Sequence, residues 1–241
     1  MTSSLRFVPA FGCKLHRAPR DSDDGLPIYL DLIDGLVFKL KRRIALNYQN
    51  VVLIVGNTGS GKSHLGVQIC EAMDPFFSLA GDYVYGPEDF AAKIERSDTE
   101  PVCPITLMDE GTLVFNKLDY QTKNGKDILK LLDISRTLGW TLVVIGPSMD
   151  EFNSKFLAVH VDYMIDAGSG PAVSGYTRRG WFKLYRKRKS LFSKVYWEQL
   201  TWGVFKPLPP SKKKEYDAYK SAAIKRFKAF YAKRNRREEE Q

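Results

Sequence analysis

An α/β fold built on a mostly parallel sheet is predicted by three observations. Short apolar runs alternate with helical patterns between residues 51 and 167. The first run stops at a Gly-rich turn, and the third ends in two adjacent carboxylates. Strands alternating with helices need crossover connections, which are right-handed and make neighbouring strands parallel. A chain of 241 residues, 44% hydrophobic and 27% charged, can bury a sizeable core and has ordinary globular composition.

Residues 1–27, rich in Pro, Arg and Asp, read as a poorly ordered arm. Residues 28–47 place Leu32, Leu36 and Leu40 at i, i+4 spacing, with Lys39, Lys41, Arg42 and Arg43 near the C-terminal end, which predicts an amphipathic helix. "VVLIVG" (51–56) is continuous, β-branched and strand-length, the texture of a strand covered on both faces. A helix over 62–73 follows. "DYVYG" (82–86) predicts a second strand, and "PEDFAAKIE" (87–95) opens a helix with Pro in its first turn and two acids beside it. The third strand is "ITLMDEG" (105–111). Next comes a helix over 125–139, with Ile128, Leu131, Leu132 and Ile134 inward and Gly139 closing it. "TLVVIG" (141–146) is a fourth strand, 150–158 a short helix, and "VDYMIDA" (161–167) a fifth strand. After residue 168 the pattern becomes aromatic and alternating, which predicts antiparallel strands. A Pro-rich hinge (PLPPS) and a basic helix end the chain. The expected division is an arm (1–27), a core (28–168) and a basic aromatic extension with a helix packed on the core (169–241).

Charge is divided unevenly. Residues 176–241 hold 20 Lys/Arg against 6 Asp/Glu, whereas the rest of the chain holds 17 against 22. A basic quarter on an acidic body points to a polyanionic partner. Three cysteines (Cys13, Cys70, Cys103) show no CxxC or metal spacing, which favours a reducing compartment, and the expected location is the host-cell cytoplasm. The first residues lack the apolar core of a secretory signal, and no apolar run reaches membrane length. His16, His64 and His160 are isolated, so zinc is not expected.

The turn after the first strand reads GNTGSGKS, which fits G-x-x-x-x-G-K-[ST]. Four fixed positions match by chance about 1% of the time in a chain of this length. Gly56, Gly59 and Gly61 allow positive φ, so that backbone N–H groups of Gly56, Asn57, Thr58, Gly59, Ser60, Gly61 and the following Lys62, Ser63 and His64 can surround a phosphate. Lys62 would reach the β/γ oxygens of ATP, and Ser63 would hold Mg²⁺. In "LMDEG", Asp109 at a strand end supplies the second Mg²⁺ partner, and Glu110 is placed to polarise an attacking water as general base. The RecA/ASCE-type P-loop NTPase fold, with ATP hydrolysis rather than binding alone, is therefore expected.

GNTGSGKS, LMDEG, "DYVYGPEDF" and "DISRTLGWTLVVIGPSMDEF" together resemble the small P-loop ATPases of archaeal viruses and conjugative plasmids, which are similar to the FtsK/HerA translocase and genome-packaging group. The likeness spans roughly residues 45–230, including a Leu-Pro turn before a Tyr-rich basic helix. It implies a homo-oligomeric ring, a hexamer in many such motors, completed by a trans-acting arginine for which Arg136, Arg178 and Arg179 are the candidates. It also implies a polar sensor after the fourth strand, where Gly146-Pro147 leads to Ser148.

"YTRRGWFKLYRKRK" interleaves four aromatics with seven basic residues. The terminal helix carries Tyr216, Tyr219, Ile224, Phe227, Phe230 and Tyr231 as one apolar stripe beside a cationic face. Three readings fit: a helix docked on the core, a sequence-tolerant grip on a DNA backbone, or an anionic membrane surface. The leading expectation is an ATP-driven motor of a virus or plasmid that translocates or packages DNA. The rivals are a DnaA-like or helicase-loading ATPase switch working with a replication protein, an ATPase of virion assembly or export at a membrane, and a non-enzymatic assembly protein with bound nucleotide.

Overall fold

The structure, a computed structural model, describes residues 14–16, 29–30, 32–46, 48–97, 99, 103–117, 127–130, 132–133, 139–168, 180–190 and 194–239. The continuous apolar segment after residue 49 forms β3 (Asn50–Val55), every residue of which is buried. It lies between β6 (Thr141–Ile145) and β7 (Tyr163–Ala167), parallel to both. Beyond β6 come β5 (Ile105–Met108) and the two-residue β4 (Tyr83–Val84), again parallel. The strand that carries the two carboxylates is thus separated from the loop strand by β6. This is the expected α/β P-loop fold, a mostly parallel sheet flanked by helices.

The sheet does not end at β7. β8 (Trp181–Lys189) and β9 (Val195–Val204) form an antiparallel hairpin on its edge, with an irregularity at Leu184/Tyr185. Alternation along β8 turns Phe182 and Leu184 into the core, while Trp181 stacks on Trp202 with ring centroids 5.3 Å apart. The last two strands correct the sequence reading. Lys14–His16, expected in a disordered arm, forms β1 on the outer edge of β9, and Tyr29–Leu30 (β2) pairs with β1. An exposed edge offers unpaired N–H and C=O groups that even three residues can satisfy. The first helix consequently starts at Leu32 rather than 28.

Helices cover both faces. On one lie α1 (Leu32–Ala45), α2 (Lys62–Met73) and the short α3 (Leu79–Asp82), burying Leu36, Leu40, Leu65, Ile69 and Leu79 against Val52, Ile54, Leu107 and Val143. On the other, α4 (Pro87–Ser97) and α5 (Thr112–Phe115) bury Phe90, Ile94 and Phe115 against Val51, Leu53, Met108 and Val144. Of the helix expected over 125–139, residues 127–130 and 132–133 are helical and bury Leu129 and Leu132; Leu131 and Ile134 lie outside the described residues. The helix expected over 150–158 is instead a 3₁₀ turn at Met149–Glu151 and a π turn at Phe156–His160, where Phe156 stacks on Phe115. The basic terminal segment is one long helix, α6 (Pro210–Glu239), beginning with Pro at the position where a missing N–H costs nothing.

One ion pair is buried between α4 and the end of α3. Lys93 Nζ lies 2.7 Å from Asp82 Oδ1 and 2.9 Å from the Ile105 carbonyl oxygen, with side-chain exposures of 1% for Lys93 and 7% for Asp82. Burial lowers the Lys93 pKa, and the hydrogen bond and charge of Asp82 oppose that shift. Removing only the acid would strand a buried ammonium, a loss of about 3–5 kcal/mol. In urea denaturation Asp82→Ala should show a loss of that order, and the double change Asp82→Ala with Lys93→Met should recover at least half of it.

Candidate phosphate site

In open α/β sheets, ligands bind outside the carboxyl ends of the strands. There the chain passes from β3 through residues 56–61 into α2. Gly56, Gly59 and Gly61 have φ of 144°, 79° and 97°. At Gly56 a Cβ would run into the Ala167 carbonyl, and at Gly61 it would come 2.9 Å from the Phe205 ring. The turn is closed by Ser60 N–H donating to Asn57 O (3.1 Å) and Gly56 N–H donating to Pro147 O (3.1 Å). α2 starts at Lys62 with no side-chain cap and no acid in its first turn, so its positive end is left for an anion. The Lys62 ammonium curls over the loop and donates to Gly56 O (2.6 Å) and Asn57 O (3.0 Å). Burial lowers its pKa, opposed by the charges of Glu110 and Asp109.

The acid turn after β5 faces this loop. Asp109 N–H donates to Val84 O (3.0 Å), and Gly111 N–H donates to Ile145 O (2.6 Å), so both neighbouring strands hold it. Asp109 is 1% exposed, and its Oδ2 accepts from the Tyr83 hydroxyl (3.2 Å), from the Tyr216 hydroxyl and from Lys220 Nζ (2.9 Å). Burial, then the Asp109 charge, pushes the Tyr83 and Tyr216 hydroxyls far up, so both are donors at neutral pH. Glu110 takes φ of 55°, rare for a residue with a side chain, and its Oε1 lies 3.4 Å from Lys220 Nζ. Backbone strain of this kind persists only where the surroundings over-determine it.

Between loop and acid turn lies a cavity of about 310 Å³. Thr58, Gly59, Gly61, Lys62, Ser63 and His64 line it from the loop side, and Asp109, Glu110, Gly146 and Pro147 from the strand ends. Of the other predicted loop residues, Gly56 and Asn57 face Lys62 with their carbonyls and Ser60 is buried behind. His64 is shared with the segment leading to α6, since its Nδ1 accepts from Leu208 N–H at 3.4 Å. Ser148 is not among the lining residues. Its hydroxyl caps the 3₁₀ turn by accepting from Asp150 N–H (3.3 Å). Arg136, Arg178 and Arg179 lie outside the described residues.

Ser63 and Asp109 line the same cavity, which brings a hydroxyl and a buried carboxylate to a common space. These are hard oxygen donors, and the pair suits Mg²⁺, which takes few protein ligands and fills its shell from phosphates and water. Among the described residues no cluster of three His, Cys, Asp or Glu side chains forms an all-protein metal cage.

No family model and no curated protein matches the chain. Solved structures similar to it include the genome-packaging NTPase B204 of Sulfolobus turreted icosahedral virus 2 in complex with AMP: 14% identity over 67% of this chain and 98% of that one, TM-score 0.42. The FIGL-1 AAA domain is similar at 12% identity over 57% of this chain and 52% of that one, TM-score 0.43. The cytoplasmic domain of the type VII secretion ATPase EccC of Thermomonospora curvata is similar at 12% identity over 81% of this chain and 26% of that one, TM-score 0.39. Chemistry does not carry across at such identities. What this site can do is decided by its own loop and carboxylates.

Sequence reasoning placed the loop and the acid turn but missed Tyr83, Tyr216 and Lys220. Tyr216 and Lys220 stand i, i+4 on α6 and so share one helix face, but their partners are more than 100 residues away in the chain. Gly61 ties the two regions together. Gly61→Ala would impose a left-handed alanine, at about 1–2 kcal/mol, and press Phe205 off the loop. Thermal unfolding should show that loss, with weakened protection from proteolysis across Phe205–Pro210.

Proposed function

We propose that the chain binds and hydrolyses ATP and uses the energy to move or package DNA. The observation that carries this reading is the cavity in which the phosphate loop, Lys62, Ser63, Asp109 and Glu110 face one another. The loop amides and the start of α2 would receive the phosphates, with Lys62 released from the Gly56 and Asn57 carbonyls to reach the β/γ oxygens. Ser63 and Asp109 would hold Mg²⁺, which when bound neutralises charge developing between the β- and γ-phosphates. Glu110 would take the proton of the attacking water. Its left-handed backbone sets it off the line of β5, and its half-exposed side chain stands at the cavity wall.

The DNA part of the reading rests on the outward face of α6. Tyr216 and Ala223 are buried and Tyr219, Ile224 and Phe227 partly so, whereas Lys214, Lys225 and Lys228 are exposed. Such a face would grip phosphates without reading bases. Among the described residues no helix is long and apolar enough to cross a membrane. The docking of α6 over the acid turn favours one second reading, a slow ATPase switch acting on a replication protein.

Steady-state hydrolysis tests both. Lys62→Ala should abolish turnover, and Glu110→Gln should lower it by about 10²–10⁴-fold while nucleotide still binds. Duplex DNA should stimulate the wild type at low salt and fail to do so at high salt. Turnover indifferent to any nucleic acid would favour the switch. In DNA titrations over several salt concentrations, replacing Lys214, Lys225 and Lys228 by Ala should reduce the log–log salt slope by up to about 0.9 for each phosphate no longer neutralised.

A further inference from the structure

Lys220 is a cation in the phosphate cavity that the loop motif does not account for. It comes from α6, and that helix is anchored rather than frayed at this point. Tyr216, one turn before, is 3% exposed, and Ala223, one turn after, is 2% exposed. Farther along, Phe227 meets the Tyr85 ring edge-on (centroids 5.7 Å apart) and Arg226 lies 3.5 Å from Asp89. At the start of the helix, Lys212 lies 2.9 Å from Glu71. The stem of Lys220 is thus carried over the acid turn by fixed neighbours, and its ammonium touches both acids, at 2.9 Å (Asp109) and 3.4 Å (Glu110).

These are the two carboxylates to which hydrolysis assigns separate tasks. An ammonium on Asp109 would compete with Mg²⁺ for that carboxylate, because the two cations repel each other. An ammonium held at Glu110 Oε1 competes for the carboxylate that an attacking water would use. With Mg²⁺ on the Asp109 side, the anionic group within reach of a flexible four-carbon stem in the same cavity is the terminal phosphate. Lys62 reaches the cavity from the opposite wall, near enough that each ammonium feels the other's charge.

We propose that Lys220 is a phosphate ligand supplied in cis by α6, exchanging the Asp109–Glu110 pair for the terminal phosphate of a bound nucleoside triphosphate. The proposal rests on the nucleotide-binding reading above. It adds that the chain itself contributes a cation to the γ-position, and that α6 senses whether that phosphate is present. A diphosphate leaves Lys220 on the acids; a triphosphate draws it away.

Equilibrium binding to the full-length chain separates this from the parent reading. The probes are Mg²⁺ with a non-hydrolysable ATP analogue and Mg²⁺ with ADP, followed by calorimetry for wild type, Lys220→Gln, Lys220→Arg and Lys62→Ala. Lys220→Gln should weaken the triphosphate analogue at least tenfold and ADP less than twofold, and Lys220→Arg should keep most of the discrimination. Retained ADP binding shows at the same time that the variant is folded. If Lys220→Gln weakens both nucleotides equally, or neither, Lys220 is not a γ-phosphate ligand. If Lys62→Ala binds both nucleotides as well as wild type, the nucleotide site itself is wrong, whatever Lys220 does. Mixing Lys220→Gln with Glu110→Gln chains should give no recovery of turnover, because a residue acting in cis cannot be lent to a neighbour; recovery would overturn the cis assignment.

Discussion

The carboxylate of Asp109 is the group on which the rest of the site depends. It is buried at the end of β5, where an unpaired negative charge would be very costly, and four donors surround it: the Tyr83 and Tyr216 hydroxyls, the Lys220 ammonium and the Glu110 N–H (3.2 Å, to Oδ1). Those donors come from β4, from α6 and from the turn itself. One anion therefore fixes the edge of the parallel sheet, the acid turn and the terminal helix against one another. Lys93 and Asp82 play the corresponding part a few residues away, so the β4–β5 edge is held by charge as well as by apolar packing.

What could be read from the sequence is what is local. A β-branched run followed by glycines at spaced positions contains its own instructions, because positive φ at Gly56, Gly59 and Gly61 is a property of those residues alone. The acid pair after "ITLM" is equally self-contained. The hairpin of β8 and β9 was legible from alternation. The rest depends on distant partners. "KLH" has no strand pattern, and it becomes β1 only because β9 ends a sheet beside it. The residues around 150–160 have helical composition, yet Ser148 and Asn153 take backbone N–H groups with their side chains and break the segment into turns. In α6, the same lysines and tyrosines would serve a free cationic helix or a docked one, and periodicity cannot say which surface the stripe meets.

The charge asymmetry needs a similar correction. The basic quarter is partly consumed inside the molecule. Lys212 pairs with Glu71, Arg226 with Asp89, Arg188 with Glu198 at 2.7 Å, and Lys220 with the acid turn. Lys187 donates to the Ala158 and Val159 carbonyls, both at 3.1 Å, and so closes the π turn. A cation already compensated by the protein releases few counterions when it meets a polyanion, because its field is satisfied beforehand. The formal charge of residues 176–241 thus overstates the cationic surface left to a polyanion, and exposed cations remain on the outer face of α6.

That face and the phosphate cavity lie on opposite sides of one helix. At 1.5 Å per residue its 30 residues span about 45 Å, and through Phe227 its inner side is pinned to the core at intervals of three to four residues. A helix so held moves as a body or not at all. A change of charge at Asp109 and Glu110 is felt first at Tyr216 and Lys220, one or two turns from exposed Lys214, Lys225 and Lys228. The separation between the chemical site and the cationic surface is therefore the thickness of a single helix, and any coupling between them needs no relay through the sheet.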